Sequence, residues 1–203
     1  MEIYIATSNK HKIAEFAEMF AKANIDCKVL SASDANGFEP PVEDGTTFEE
    51  NSFIKATALK AKVPASAYVM ADDSGIVVDA LGGAPGIHSA RYAGVSGSDA
   101  DSANNQKLLK ELEGVDDEKR TARFVCVIAL ITPNGQRHSF HGKIEGVINH
   151  GECGKGGFGY DPLFYLPERK MTTAELSAEE KNAISHRGSA FAKLVEFLNN
   201  NKQ

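Results

Sequence analysis

The stretch from Arg123 to Thr132 is a strongly apolar run long enough for a buried strand, and Pro133-Asn134-Gly135 after it is turn chemistry. Beyond the turn, Phe140, Ile144 and Ile148 fall on one face of a partner, which predicts a long antiparallel hairpin. The start of the chain has a different grammar. Ile3 to Ala6 reads as a short buried strand, and Thr7-Ser8-Asn9 offers N-cap chemistry to a helix whose apolar stripe is Ile13, Phe16, Ala17 and Phe20. Strand-helix alternation followed by a hairpin implies a mixed sheet flanked by helices, of the α/β or α+β kind, with the strand order left open.

Further elements follow the same logic. Thr46-Thr47 opens a second helix with Glu49 and Glu50 at capping-box spacing and Ile54, Ala58 and Ala61 as its buried face; it is expected to stop near Pro64. Tyr68 to Ala71 is a short apolar strand read as ending at Asp72-Asp73-Ser74-Gly75, with an extended pattern resuming at Ile76 to Val78. Residues 81–97, rich in Gly and Pro, read as loop, and a third helix is expected from about Asp99 to Leu112. A glycine-rich loop from Gly151 to Gly159 precedes a strand around Leu163 to Leu166. A last helix carries Phe191, Leu194, Val195 and Leu198 as its stripe.

Composition narrows the function classes. With 203 residues and no internal repeat, the chain is read as a single unit, residues 1–203. A formal charge of -6 argues against a general nucleic-acid binder, which needs a basic field, so any phosphate site must be local. Cys27, Cys126 and Cys153 are odd in number and lack CxxC spacing, which suits a reducing cytoplasm and structural roles. The first residues lack the long apolar region of a signal peptide or membrane span, so a cytoplasmic protein with no membrane attachment is expected.

Four segments carry chemistry. Thr7 to Lys12 places Lys10, His11 and Lys12 at a helix start, where the dipole disfavours cations and an anion such as phosphate would compensate; the alternative is a capped surface helix with solvated lysines. Ser185-His186-Arg187 repeats the arrangement at the last helix, again as surface cap or ligand site. Asp72 and Asp73 close an apolar strand, and alternation points them to opposite sides. Asp73 is favoured for the direct role of base or metal ligand, against a plain turn-forming pair. Glu43 and Lys55 could complete that site, with Asn51 one helical turn from Lys55 on the same face, the alternative being that Asn51 and Lys55 are solvated helix residues; hard carboxylate oxygens suit magnesium. The loop from Gly151 to Pro162 lacks the GK[ST] ending of a Walker A loop. Phe158, Tyr160 and Asp161 there offer a flat face and polar edges to a nucleobase, or else are core residues of a crossover. His138, His141 and His150 are read as surface or structural residues, since His138 and His141 face opposite ways on a strand.

Taken together, TSNKHK (7–12), PPVEDGTTFEENSFIKA (40–56), ADDSGIVVDALGGAPGIHSARYAG (71–94), GGFGYDPLF (156–164) and EKNAISHRGSA (180–190) closely resemble the inosine triphosphate pyrophosphatase family, the dITP/XTP or non-canonical purine nucleoside triphosphate pyrophosphatases. The resemblance runs along nearly the whole chain. It implies an elongated mixed sheet with two lobes and a nucleotide cleft between them, a homodimer, and magnesium-dependent hydrolysis of ITP, dITP and XTP to the monophosphate and pyrophosphate. By the same resemblance Thr7, Ser8, Asn9, Lys10, His11, Lys12 and Lys55 hold the triphosphate, and Glu43 and Asp73 serve Mg2+, with Asp73 also the base for water. Ser74 touches substrate, and Phe158, Gly159, Tyr160, Asp161, Lys181, His186 and Arg187 form the base pocket. Ser8 departs from the glycine many members carry there, which predicts a small loop adjustment. A Maf-like pyrophosphatase with other nucleotide preferences and a non-catalytic nucleotide-binding module are the competing readings.

Overall fold

The fold was analysed on a computed structural model, which describes residues 1–7 and 9–201; the expectations placed on Ser8 and on the side chains of Lys10 and His11 lie outside what is described. Strands β1 (Glu2–Ile5), β2 (Lys28–Ser31), β3 (Tyr68–Val78), β4 (Thr121–Ile131), β5 (Arg137–Ile148), β6 (Phe164–Leu166) and β7 (Met171–Thr172) form a seven-stranded sheet in the order β2-β1-β3-β4-β5-β6-β7. β1 pairs in parallel with β2 and β3, whereas β5-β6 and β6-β7 are antiparallel, so the sheet is mixed as expected. The predicted hairpin is β4 and β5. Its turn is closed by Thr132 N to Gln136 O at 3.0 Å, and its far end by Ile148 N to Arg120 O at 2.9 Å.

The helices are α1 (Lys10–Lys22), α2 (Phe48–Lys60), α3 (Ala100–Glu111), α4 (Ala178–Ile184) and α5 (His186–Asn200). Asn9 starts α1 by accepting from Lys12 N at 3.4 Å, and Thr47 starts α2 by accepting from Glu50 N at 3.1 Å. Three features were not read from the sequence: β2, β7 and α4. Each is short and lacks a full period of apolar residues. Among the described residues no helix is long and apolar enough to cross a membrane.

The chain divides into two compact units. The first comprises Met1–Asp73, Val127–His141 and Ala190–Gln203, and its core includes Tyr4, Ala56, Leu59, Val69, Ala71, Ala129 and Ile131. Phe20 of α1 meets Phe191 of α5 edge to face at 4.7 Å, which uses the two helical stripes as predicted. The second comprises Ser74–Cys126 and Gly142–Ser189, with Ile76, Leu108, Leu112, Phe124, Leu163 and Phe164 at its centre.

Two expectations are corrected. Asp72-Asp73-Ser74-Gly75 does not end a strand: β3 continues through it to Val78. Gly75 is required by close approach and not by a turn. A Cβ there would stand 2.4 Å from Gly86 O and 2.4 Å from Ser89 Oγ, and that hydroxyl accepts from Ile76 N at 2.9 Å. Likewise the stretch read as loop contains a 3-10 helix, Gly86–Arg91, and another, Asp79–Leu81, leads into it; both are too short to show a helical period.

Candidate active site

Within the first unit, α1, α2 and β3 bring their polar residues to one pocket of about 330 Å³, lined by Thr7, Lys12, Glu43, Lys55 and Asp72 among others. The pocket follows from local rules. The β1-α1 connection begins α1 at its capped end, so Thr7 and Lys12 arrive together, and Thr7 Oγ1 accepts from Asn9 N at 3.1 Å. Lys55 sits two turns into α2 and reaches back to β3.

The adjacent carboxylates take different lysines, as the strand alternation requires. Asp72 is buried and holds Lys12 Nζ with both oxygens, at 3.1 and 2.9 Å. Asp73 Oδ1 lies 3.3 Å from Lys55 Nζ, and that same ammonium lies 3.0 Å from Glu43 Oε2. One cation thus serves two carboxylates. Burial pushes the Asp73 carboxyl above its ordinary range; Lys55 offsets this only in part, and Glu43 adds to the rise. For Lys55 burial favours the neutral amine, but Asp73 and Glu43 outweigh it and the net shift is upward.

Asp73 Oδ2 is buried with no hydrogen-bond partner of ordinary length among the described residues, although the Asn51 amide beside it favours the ionised carboxylate. A buried carboxylate oxygen in an excess of negative charge fits a hard cation. Among the described residues no three His, Cys, Asp or Glu side chains form a group that could hold a metal ion. A cation here would use Glu43 and Asp73 alone and take its other oxygens from water or substrate, an arrangement suited to magnesium.

The second unit gathers the other candidates. Asp161 is buried, accepts from Phe158 N at 2.8 Å and Thr173 Oγ1 at 2.9 Å, and is ion-paired with Lys181. Gly157 makes this possible: its φ is +74°, and a Cβ would fall 2.1 Å from Asp161 Oδ2. Phe158 is 63% exposed, with Lys181 Nζ 4.5 Å from its ring centroid. Gly159 is held through its N–H by Asp101 at 2.7 Å and through its carbonyl by Asn105 at 3.1 Å.

Of the two places read for it, Tyr160 takes the core one. It is buried, and its hydroxyl donates to Ser89 O at 2.8 Å. Burial raises its pKa, so the phenol stays protonated. Ser185 caps α5 by accepting from Gly188 N at 2.9 Å, which sets His186 and Arg187 in the first turn as predicted. His186 stacks on Phe124 at 5.1 Å and 16°, and Arg187 is buried. Ser74 is half-buried on β3.

Sequence reasoning missed the residues that hold this loop: Ser89, Asp101, Asn104, Asn105 and Thr173. Asn104 had a signal. It lies four and eight residues before Leu108 and Leu112, on the buried stripe of α3, and a polar residue there needs partners. Its amide meets Ala93 N at 2.7 Å and the Ser89 and Ala90 carbonyls at 3.3 Å. The three histidines left aside behave as expected: His138 packs on Phe197, while exposed His141 and His150 meet Glu49 and Asp117.

Comparison with known proteins agrees with this picture. The chain is 51% identical over 197 residues to a dITP/XTP pyrophosphatase of Listeria monocytogenes, covering 97% of this chain and 94% of the relative. The structure of the Staphylococcus aureus Ham1 protein is 42% identical and superposes with a TM-score of 0.89 over 100% of both chains. A Mycobacterium abscessus structure described as a nucleoside-triphosphatase, or dITP/XTP pyrophosphatase, is 39% identical with a TM-score of 0.81, covering 98% of this chain and 100% of that one. The model of the Ham1 family matches residues 3–197, and with full-length relatives at half identity the chain belongs to that family.

Proposed function

We propose that this protein hydrolyses non-canonical purine nucleoside triphosphates, ITP, dITP and XTP, to the monophosphate and pyrophosphate, with magnesium, as a cytoplasmic homodimer. The observation that carries the chemistry is the cluster in which Asp73 and Glu43 share Lys55 beside the Lys12-Asp72 pair. The family and the names of its relatives support the substrate class.

In this reading Thr7, Asn9 and Lys12 at the start of α1, with Lys10, His11 and Ser8, receive the phosphates. Glu43 and Asp73 would hold magnesium, which when bound would supply positive charge to the phosphate oxygens and make the attacking water more acidic. Asp73 accepts the proton of the water that attacks the α-phosphate; burial moves its carboxyl pKa upward, the direction that makes the carboxylate a stronger base. Lys12 and Lys55 neutralise the departing pyrophosphate, and water adds its oxygen to the monophosphate. In the second unit Phe158 stacks on the base, Gly159, Asp161 and Ser74 contact the nucleoside, and Tyr160 holds the loop. Lys181, His186 and Arg187 read the base edge: donors there favour a 6-oxo purine over adenine, whose 6-amino group is itself a donor.

The test is product analysis with ITP, XTP, dITP, GTP and ATP, with magnesium and with chelator, for the wild type and Asp73→Asn. Monophosphate plus pyrophosphate from the first three, lost on chelation and in a folded Asp73→Asn variant, is expected. Diphosphate plus orthophosphate, or turnover by Asp73→Asn near the wild-type rate, sinks the assignment. Light scattering on the purified protein checks the dimer.

A further inference from the structure

Glu43 comes from an irregular segment, and its carboxylate must nevertheless meet Lys55 at 3.0 Å. Side chains of α2 hydrogen-bond the end of this segment, at Gly45 and Thr46. Gly45 N donates to Asn51 Oδ1 at 2.9 Å, and Thr46 donates to Glu50 Oε2 through its N–H at 2.6 Å and its hydroxyl at 2.8 Å. Glu50 does this at an exposed helix start, where water competes. Asn51 does it at 1% exposure, one helical turn before Lys55 on the same face of α2.

The contact is also tight. A Cβ on Gly45 would stand 2.7 Å from Asn51 Oδ1, 2.8 Å from Glu50 Cβ and 3.0 Å from Asn51 N, so the segment seats against α2 only with glycine there. Because the Asn51 carbonyl oxygen takes the Gly45 N–H, its amide group is left to face Asp73, the other carboxylate on Lys55. A buried asparagine therefore touches the backbone two residues from one carboxylate and lies beside the other.

We infer that Asn51 is a positioning residue of the cluster: it seats the 43–45 segment on α2 so that Glu43 and Asp73 meet the one Lys55 ammonium in register. The inference deepens the proposed reaction and rests on it for its kinetic consequences. Asn51 does not line the pocket formed by Thr7, Lys12 and Lys55, so it acts on the geometry of the carboxylates and not on substrate affinity.

The experiment measures kcat and KM for ITP in Asn51→Ala, Gly45→Ala and the double variant, each verified as folded by thermal unfolding. Misplacing the carboxylates by a fraction of an ångström to an ångström should lower kcat about 10- to 100-fold in either single variant. KM should be little changed. Both substitutions break the same contact, so the double variant should match the singles instead of multiplying them. Wild-type kcat in either folded single variant, a loss confined to KM, or multiplicative losses overturns the inference. If Asn51→Ala fails to fold, Gly45→Ala carries the kinetic test. A crystal structure of the folded variant gives a readout independent of turnover: Glu43 should have left Lys55, and an unchanged 3.0 Å contact also overturns the inference. A wild type that turns over none of the triphosphates would refute the proposed function, and that crystallographic distance then decides the role of Asn51 alone.

Discussion

Phe158 and Tyr160 lie two residues apart in one glycine-rich loop, yet their exposure assigns them opposite consequences. Phe158 is 63% exposed. Truncation to alanine removes the covered third of a ring whose full burial is worth about 1.5–3 kcal/mol, a loss of about 0.5–1 kcal/mol. The Lys181 contact with this exposed ring adds about 0.5–1 kcal/mol. At roughly 2–4 °C per kcal/mol for a chain of this size, Tm falls by about 2–8 °C. If the ring stacks on the base, its loss forfeits about 1–3 kcal/mol of binding, or roughly 5- to 150-fold in kcat/KM. Tyr160→Phe reverses the balance. The lost hydrogen bond to Ser89 O costs about 0.5–1.5 kcal/mol of stability. Ser89 O keeps the Asn104 amide, and no group aimed at substrate is removed. Initial rates with ITP and thermal unfolding on both variants test the argument. Full kcat/KM in Phe158→Ala, or a larger activity loss in Tyr160→Phe than in Phe158→Ala, refutes it.

Two further outcomes follow from the same geometry. Ser89→Ala strips the acceptor from buried Ile76 N on β3 and should cost about 1–3 kcal/mol in urea unfolding; a loss below about 0.5 kcal/mol would mean that another group takes the bond. Arg187→Ala should reduce the preference for ITP over ATP about 10-fold or more, as expected for a charged hydrogen bond at a buried position. An unchanged ratio would place base reading elsewhere.

Long periodic elements were legible because their pattern repeats enough to be read. The stripe of α1, the caps of α2 and α5 and the hairpin at Pro133-Asn134-Gly135 all stand where sequence places them. The DDSG segment was misread for a physical reason. Gly after Ser and Asp is turn chemistry by local rules, but Gly75 is glycine because Ser89 and Gly86 press on it from 11 to 14 residues away. Tyr160 was left between base pocket and core for a related reason: an aromatic following Gly159 can face out or in, and the choice rests on whether a distant carbonyl waits for its hydroxyl.

The sequence by itself determined the mixed α/β class, the helix starts and the residue types able to bind phosphate, cation and base, because caps, periodicity and functional-group chemistry are local properties. Tertiary structure alone decided which groups meet. Lys12 goes to Asp72 and Lys55 to Asp73 and Glu43 because the folded chain brings one lysine of α1 and one of α2 to the carboxylates of β3, and the balance of burial against pairing that raises the Asp73 pKa exists only once folding has excluded water.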